Sequence, residues 1–253
     1  MTVLPLTKSA GCKIETCEKH GDYEAQPWQS PTGRVFYTHC PECDAELKAK
    51  QEQEEKAAKE RKYYARLSCS GISKRFINCT FDGYKPVSEN AASVFKAVRS
   101  YHDQFQKIKE TGTSLMMCGR PGTGKTHLAN AMAISLINHG TPVTYTTSFK
   151  MMARIKATYN KFDAKETESG VIEALTRAEL LIIDEVGVQF GSEAEKVLFY
   201  QVINGRYDNV LPTVLISNLN SMELEQFIGE RCYDRLKEGA GAVLSFDWDS
   251  YRK

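Results

Sequence analysis

After about residue 67, apolar and polar positions follow two different patterns, one typical of buried strands and one typical of helices. Runs of consecutive apolar residues are typical of strands buried on both faces of a sheet. They occur at Leu115–Cys118, at Leu180–Ile183 and inside the predicted strand Thr213–Asn218, and a further strand is predicted over Thr141–Thr146. Between the strands, helical patterns predict helices over Ala91–Ile108, Thr126–Asn138, Phe149–Tyr159 with Ser148 as its cap, Glu168–Arg177 and Glu193–Tyr207. Alternating strands and helices imply an α/β fold with a mostly parallel sheet.

The N-terminal quarter has a different composition. Residues 44 to 66 are dominated by charged side chains with few apolar ones, and pairs such as Glu52–Lys56 stand four residues apart in the favourable order. This predicts a solvated helical spacer. We therefore divide the chain into a small module at 1–43, a charged helical linker at 44–67 and a large domain at 68–253.

Overall composition constrains the class of protein only loosely. The 253 residues carry 33 Lys and Arg against 32 Asp and Glu, a net charge of +1, so bulk charge neither supports nor opposes nucleic-acid binding. No apolar run approaches the roughly 18 residues of a membrane span, and the first residues lack the pattern of a secretory signal. We expect a cytoplasmic protein without membrane attachment and with reduced thiols.

Four metal-ligating residues lie in two short pairs. Cys17 and His20 form the first pair and Cys40 and Cys43 the second, about twenty residues later, which is the spacing of a structural zinc site. The stretch between the pairs, residues 23–38, is typical of a short hairpin too small to form a core without metal. Cys12 could replace Cys17, and His39 is a spare candidate. The other four cysteines are expected to be packing residues: Cys69, Cys79, Cys118 and Cys232.

A glycine-rich loop lies between the first large-domain strand and the helix after it. Gly119-Arg120-Pro121-Gly122-Thr123-Gly124-Lys125-Thr126 matches G-x-x-x-x-G-K-[ST], the P-loop that binds nucleotide phosphates. Glycines let successive backbone N–H groups point at phosphate oxygens, Lys125 can reach the terminal phosphates, and the Thr126 hydroxyl can bind Mg²⁺. The motif predicts an ATP site.

Polar residues at the ends of two further strands complete this predicted site. Asp184 and Glu185 follow the run that begins at Leu180, where the carboxyl ends of parallel strands meet ligands. Asp184 is expected to hold Mg²⁺ and Glu185 to polarise the attacking water. Asn218 ends another strand and could position that water, although it could equally be a turn residue.

Together these motifs resemble the Walker A, Walker B and sensor 1 elements of an AAA+ ATPase. Two more segments, Gly229–Leu236 and Trp248–Arg252, are similar to the DnaC group of replicative helicase loaders. The resemblance covers residues 76 to 252. It implies that Arg235 is an arginine finger acting on a neighbouring subunit's nucleotide, that Arg231 assists it and that Arg252 is the sensor 2 arginine. Spacing alone would suit ordinary salt bridges for Arg231 and Arg235.

The resemblance also implies a function: ATP-dependent loading of a hexameric replicative helicase onto single-stranded DNA, by a homo-oligomer formed with ATP, Mg²⁺ and Zn²⁺ bound. The Cys/His module is similar to the N-terminal region of DnaI loaders and of phage-borne loaders, which makes a phage origin plausible. Residues 149–161 and 189–196 could contact the DNA or simply form an amphipathic helix and loop. The alternative is an IstB-like transposition helper ATPase that acts on duplex DNA.

Overall fold

Two β-hairpins precede a long helix in the computed structural model, which describes residues 11–159, 166–188, 192–238 and 241–251. β1 (Lys13–Cys17) pairs with β2 (Gly21–Ala25), and β3 (Pro27–Gln29) pairs with β4 (Val35–Tyr37), both antiparallel. The second hairpin confirms the one predicted between the two Cys/His pairs. Its Trp28 and Phe36 rings stack with their centres 5.0 Å apart.

The charged stretch predicted as an exposed helix lies within α1 (Pro41–Cys69), in which Leu67 is the buried residue. The chain forms two compact units, Met1–Lys62 and Tyr63–Lys253, so the division falls inside α1. The predicted module boundaries at residues 43 and 67 stay a prediction.

A five-stranded parallel sheet forms the centre of the larger unit. In chain order its elements are α2 (Glu89–Asp103), α3 (Phe105–Thr111), β5 (Leu115–Gly119), α4 (Lys125–Asn138), β6 (Val143–Thr147), α5 (Ser148–Ala157), α6 (Glu168–Arg177), β7 (Leu180–Val186), α7 (Glu193–Asp208), β8 (Thr213–Ser217), α8 (Ser221–Ile228), α9 (Glu230–Lys237) and β9 (Ala242–Phe246). The strand order is β6-β7-β8-β5-β9, with parallel pairing throughout. The predicted α/β class is confirmed.

Successive residues of the central strands supply two separate cores, because side chains along a strand alternate between the faces of the sheet. Leu180 and Ile182 of β7 pack in the core that contains α2 and α4, while Leu181 and Ile183 pack in the core that contains α5 to α9. Because both faces of the sheet are buried, the central strands appear in the sequence as continuous apolar runs. The parallel pairing places the carboxyl ends of these strands at one edge of the sheet.

Some local predictions were wrong in detail. The single helix expected over residues 91–108 is two helices that meet at Gln104, which lies in a non-helical conformation at the end of α2. Thr147, not Ser148, caps α5, because the Thr147 hydroxyl accepts the Lys150 N–H and Ser148 is already helical. Cys69 is exposed rather than packed, unlike Cys79, Cys118 and Cys232, which are buried.

One buried cation was not foreseen from the sequence. Arg206 on α7 is fully buried, and it donates hydrogen bonds of 2.6–2.9 Å to the carbonyls of Leu175, Ala178 and Pro212 and to the Thr213 hydroxyl. Burial lowers the pKa of its guanidinium. The side chain therefore ties the end of α6 to the start of β8.

Candidate nucleotide site and metal cluster

The predicted phosphate loop joins β5 to α4 and lines a cavity of about 560 Å³ at the carboxyl edge of the sheet. Gly122 and Gly124 have φ of +77° and +95°, which favour glycine. Pro121, Gly122, Gly124, Lys125 and Thr126 line the cavity. The buried Thr123 side chain instead donates a 2.8 Å bond to the Arg120 carbonyl, so it supports the loop.

Lys125 lies at the first turn of α4 and is 5% exposed. Its Nζ donates 2.6 Å hydrogen bonds to the carbonyls of Gly119 and Arg120. The ammonium group is thus held across the mouth of the loop, where an anion bound by the loop would lie beside it.

Asp184, at the end of β7, faces the phosphate loop across the cavity. Its Oδ2 accepts hydrogen bonds from the Thr126 hydroxyl at 3.0 Å and the Tyr145 hydroxyl at 2.5 Å, and its Oδ1 accepts the Glu185 N–H at 2.7 Å. Asp184 is 6% exposed, and both of its carboxyl oxygens accept hydrogen bonds. Thr126 and Asp184 together offer the hard oxygen ligands that Mg²⁺ prefers.

Tyr145 on β6 belongs to this site but was not predicted from the sequence. Burial raises the pKa of its phenol, and the Asp184 carboxylate raises it further, so the hydroxyl stays protonated and donates. A tyrosine in the middle of a strand looks like an ordinary core residue in the sequence. Only the parallel pairing of β6 with β7 brings its hydroxyl to Asp184.

Glu185 and Asn218 also line the cavity. Glu185 is exposed, and its φ of +58° is a conformation that non-glycine residues rarely adopt. The Glu185 carbonyl accepts a 2.9 Å bond from the Ser148 hydroxyl, which helps to hold this turn. The cavity is therefore lined by an exposed carboxylate and an amide as well as by the predicted magnesium ligands.

The predicted arginines lie elsewhere. Arg235 on α9 lines a second cavity of about 450 Å³, with its guanidinium 4.8 Å from the Tyr207 ring centre and 3.7 Å from an Asp208 oxygen. Arg231, one turn earlier on α9, is exposed. Neither lines the nucleotide cavity in the part of the chain that the structure describes. Arg252 lies outside the described residues.

The N-terminal unit brings together the four predicted zinc ligands. The ligand atoms of Cys17, His20, Cys40 and Cys43 all lie within 4.8 Å of one another, and three sulfur–Nδ1 distances at His20 are 3.3–3.7 Å. Tetrahedral Zn–S and Zn–N bonds would separate neighbouring ligands by about 3.6–3.8 Å. Cys12 lies outside this cluster, where its thiol donates to Gln26, and His39 is exposed.

Two features around the cluster favour metal ligation. Backbone N–H groups of Lys19 and His20 lower the pKa of Cys17 to about 6, which favours the thiolate. The other ring nitrogen of His20, Nε2, lies 3.2 Å from the Glu46 carboxylate. A carboxylate on the distal nitrogen commonly orients a histidine ligand. Glu46 was read as part of the charged linker in the sequence.

The segments considered for DNA contact carry exposed rings but partly neutralised cations. Phe149 is 68% and Tyr159 56% exposed. Arg154 pairs with Glu166, Lys156 pairs with Glu195 and Lys150 lines the nucleotide cavity. Residues 160–165 and 189–191, which include Lys161, lie outside the described residues.

Among the described residues, we find no helix both long and apolar enough to cross a membrane.

Comparison with known proteins places these sites in context. A family model described as "IstB-like ATP binding protein" matches residues 51–253. The replicative helicase loader DnaC of Buchnera aphidicola (subspecies Schizaphis graminum) is 36% identical over 187 residues, which is 74% of each chain. The Escherichia coli K12 DnaC is 31% identical over 247 residues, 98% of this chain and 93% of that protein.

Solved structures agree on the fold. A crystal structure of the DnaC helicase loader matches 69% of this chain and 99% of its own, with a TM-score of 0.61 at 22% identity. A crystal structure of DnaI matches 69% of this chain and 94% of its own, with a TM-score of 0.59 at 14% identity. These two structures therefore share the fold of the larger unit of this chain.

Proposed function

The chain belongs to the IstB-like ATP-binding protein family, and we propose that it is an ATP-dependent loader of a replicative helicase onto single-stranded DNA. The observation that carries this proposal is one cavity lined by Lys125, Thr126, Asp184, Glu185 and Asn218, in a chain that matches a named helicase loader over 98% of its length.

Each of these five residues has a role in cleaving ATP. N–H groups of the phosphate loop and the Lys125 ammonium bind the phosphates. Thr126 and Asp184 would hold Mg²⁺, which neutralises charge on the phosphate oxygens. The Glu185 carboxylate accepts the proton of the attacking water, and the Asn218 amide orients that water. The Tyr145 hydroxyl, which donates to Asp184, holds that carboxyl group beside Thr126.

Completion of the site by a second subunit explains why Arg235 lies outside the cavity of its own chain. An arginine finger acts on the neighbour's nucleotide, so it must lie on the subunit surface rather than beside its own phosphate loop. Arg235 is 27% exposed and is held against the rings of Tyr200 and Tyr207. Our proposal therefore includes ATP-dependent assembly of a homo-oligomer, in which Arg231 assists Arg235.

Zinc at Cys17, His20, Cys40 and Cys43 would hold the N-terminal hairpins, whose strands are too short to bury a core. We assign the grip on the hexameric helicase to this module, while the ATPase unit holds the single strand. Phe149 provides an exposed ring for base stacking on the ATPase unit.

Capture of the host's replicative helicase tests this proposal. The tagged chain, incubated with the helicase and ATP, should retain the helicase ring, and Cys40→Ser should lose it while keeping nucleotide affinity. Failure of the zinc-loaded wild-type chain to bind the ring would contradict the proposal.

One rival function has a specific observation in its favour, namely the family description, which names IstB-like proteins. An IstB-like transposition helper would prefer duplex DNA to single strands. Comparing ATPase stimulation by duplex and single-stranded DNA of equal length decides between them.

A further inference from the structure

The segment after the last strand packs against the phosphate loop. Trp248, 7% exposed, donates its indole N–H to the Thr123 carbonyl at 3.1 Å. The backbone N–H of Tyr251 donates to the Gly122 carbonyl at 2.9 Å. Tyr84, which precedes α2, donates its hydroxyl to the same Thr123 carbonyl at 3.4 Å. Two consecutive carbonyls of the loop are thus fixed from outside it.

Fixing these carbonyls also fixes two N–H groups. In a trans peptide unit the C=O and the following N–H point in opposite directions. The Gly122 carbonyl shares its peptide unit with the Thr123 N–H, and the Thr123 carbonyl shares its unit with the Gly124 N–H. Holding both carbonyls toward Trp248 and Tyr251 turns these N–H groups away from that segment, ready for a phosphate.

Close packing makes the arrangement specific. A Cβ on Gly122 would lie 2.0 Å from the Ser250 Oγ, and one on Gly124 would lie 2.5 Å from the Tyr84 ring. The Tyr84 and Tyr251 rings lie 5.5 Å apart. The two glycines therefore serve the close approach of these side chains as well as the positive φ of the loop.

We propose that Trp248–Tyr251 and Tyr84 form a clasp that orients the phosphate-binding N–H groups of the loop. This inference rests on the proposed use of the loop for ATP, and it makes Trp248 and Tyr84 positioning residues. Without the clasp, the two peptide units can rotate in the free protein and must be reordered when a nucleotide binds. By reciprocity, bound nucleotide stabilises the clasp.

Trp248→Phe tests the clasp, because it keeps an aromatic ring beside Phe246 and removes the indole N–H. Affinities for MgATP and for tripolyphosphate, a probe without a base, are measured by calorimetry, with unfolding midpoints recorded without ligand. Loss of one buried hydrogen bond should lower the affinity for MgATP about three- to tenfold, and it should lower the affinity for tripolyphosphate by the same factor. Trp28→Phe removes the same group from the chain's other tryptophan and should leave both affinities unchanged.

Tyr84→Phe is a second variant. We expect a smaller fall in affinity for both ligands, because the hydrogen bond from Tyr84 to Thr123 is longer than that from Trp248. This variant tests the clasp if Trp248→Phe does not fold. Unchanged affinity in a folded Trp248→Phe protein would overturn the clasp proposal. A lower affinity for MgATP with an unchanged affinity for tripolyphosphate would also overturn it. If Lys125→Ala retained full affinity for both ligands, the phosphate site itself would be wrong. If Lys125→Ala lowered the affinity for both ligands but the clasp variants did not, the clasp would be rejected and the phosphate site would stand.

Discussion

If Arg235 acts on a neighbouring subunit, two inactive variants should restore activity to each other. Arg235→Ala retains a complete nucleotide cavity but lacks the finger. Glu185→Gln should still bind ATP and present Arg235, but it lacks the carboxylate that we propose accepts the water's proton. Arg235→Ala alone should lose about a thousandfold or more in turnover, the loss expected of an arginine finger. Glu185→Gln alone should lose about as much, which is within the range for a general base.

The size of the recovery follows from counting interfaces. In a 1:1 mixture, a productive interface needs an Arg235→Ala subunit as the ATP site and a Glu185→Gln subunit as the finger donor. Random assembly makes about a quarter of the head-to-tail interfaces productive. Turnover of the mixture should therefore reach about a quarter of the wild-type value, hundreds of times more than either variant alone.

Phosphate release from single-strand-stimulated protein measures this recovery. Arg235 contacts the rings of Tyr200 and Tyr207, so its removal should cost about 0.5–1 kcal/mol of stability. A thermal unfolding midpoint near the wild-type value serves as the control. Recovery should vanish on dilution below the assembly concentration. A mixture no more active than its components would refute action in trans, and an Arg235→Ala protein with undiminished turnover would refute the finger altogether.

Three further variants probe the remaining parts of the account. Lys125→Ala should weaken MgATP binding roughly a hundredfold through loss of charge-assisted contacts, and tight binding in calorimetry would contradict the phosphate role. Glu46→Gln should lower zinc affinity about tenfold in a chelator competition, while Glu52→Gln, on the same helix but remote from the cluster, should not; equal behaviour of the two would exclude Glu46 from the site. Arg206→Met should lower the free energy of unfolding in urea by about 3 kcal/mol or more, because it leaves buried carbonyls without donors, against under about 0.5 kcal/mol for the exposed Arg177→Met. A small loss at Arg206 would mean that the buried carbonyls find other donors.

The sequence predicted the α/β class and the parts of the site that depend on short, contiguous motifs. The phosphate loop and the apolar run ending at Asp184 each contain their own strand, turn and polar residue, so local spacing was sufficient. The Cys/His cluster was predictable for the same reason. Its ligands lie in two short sequence pairs, and such pairs can meet around one ion with many different structures of the intervening chain.

Residues that join the site through pairing of distant segments could not be predicted in this way. Tyr145 reaches Asp184 because β6 lies beside β7, and Trp248 reaches Thr123 across 125 positions of the chain. Arg206 resembled a surface residue of an amphipathic helix, and its carbonyl partners carry no signal in their side chains. The prediction of the helix cap was wrong for a similar reason. Thr147 and Ser148 are both good cap residues, and only the end of β6 determines which of them precedes α5.

Loading of the helicase onto closed circular single-stranded DNA tests the central claim most directly, because a closed ring cannot thread onto a circle unaided. With the wild-type chain and ATP, the host's replicative helicase should become stably bound to the circle, and with Lys125→Ala it should remain free. Equal loading with both proteins, or no loading with the wild-type chain, would contradict ATP-dependent helicase loading by this protein.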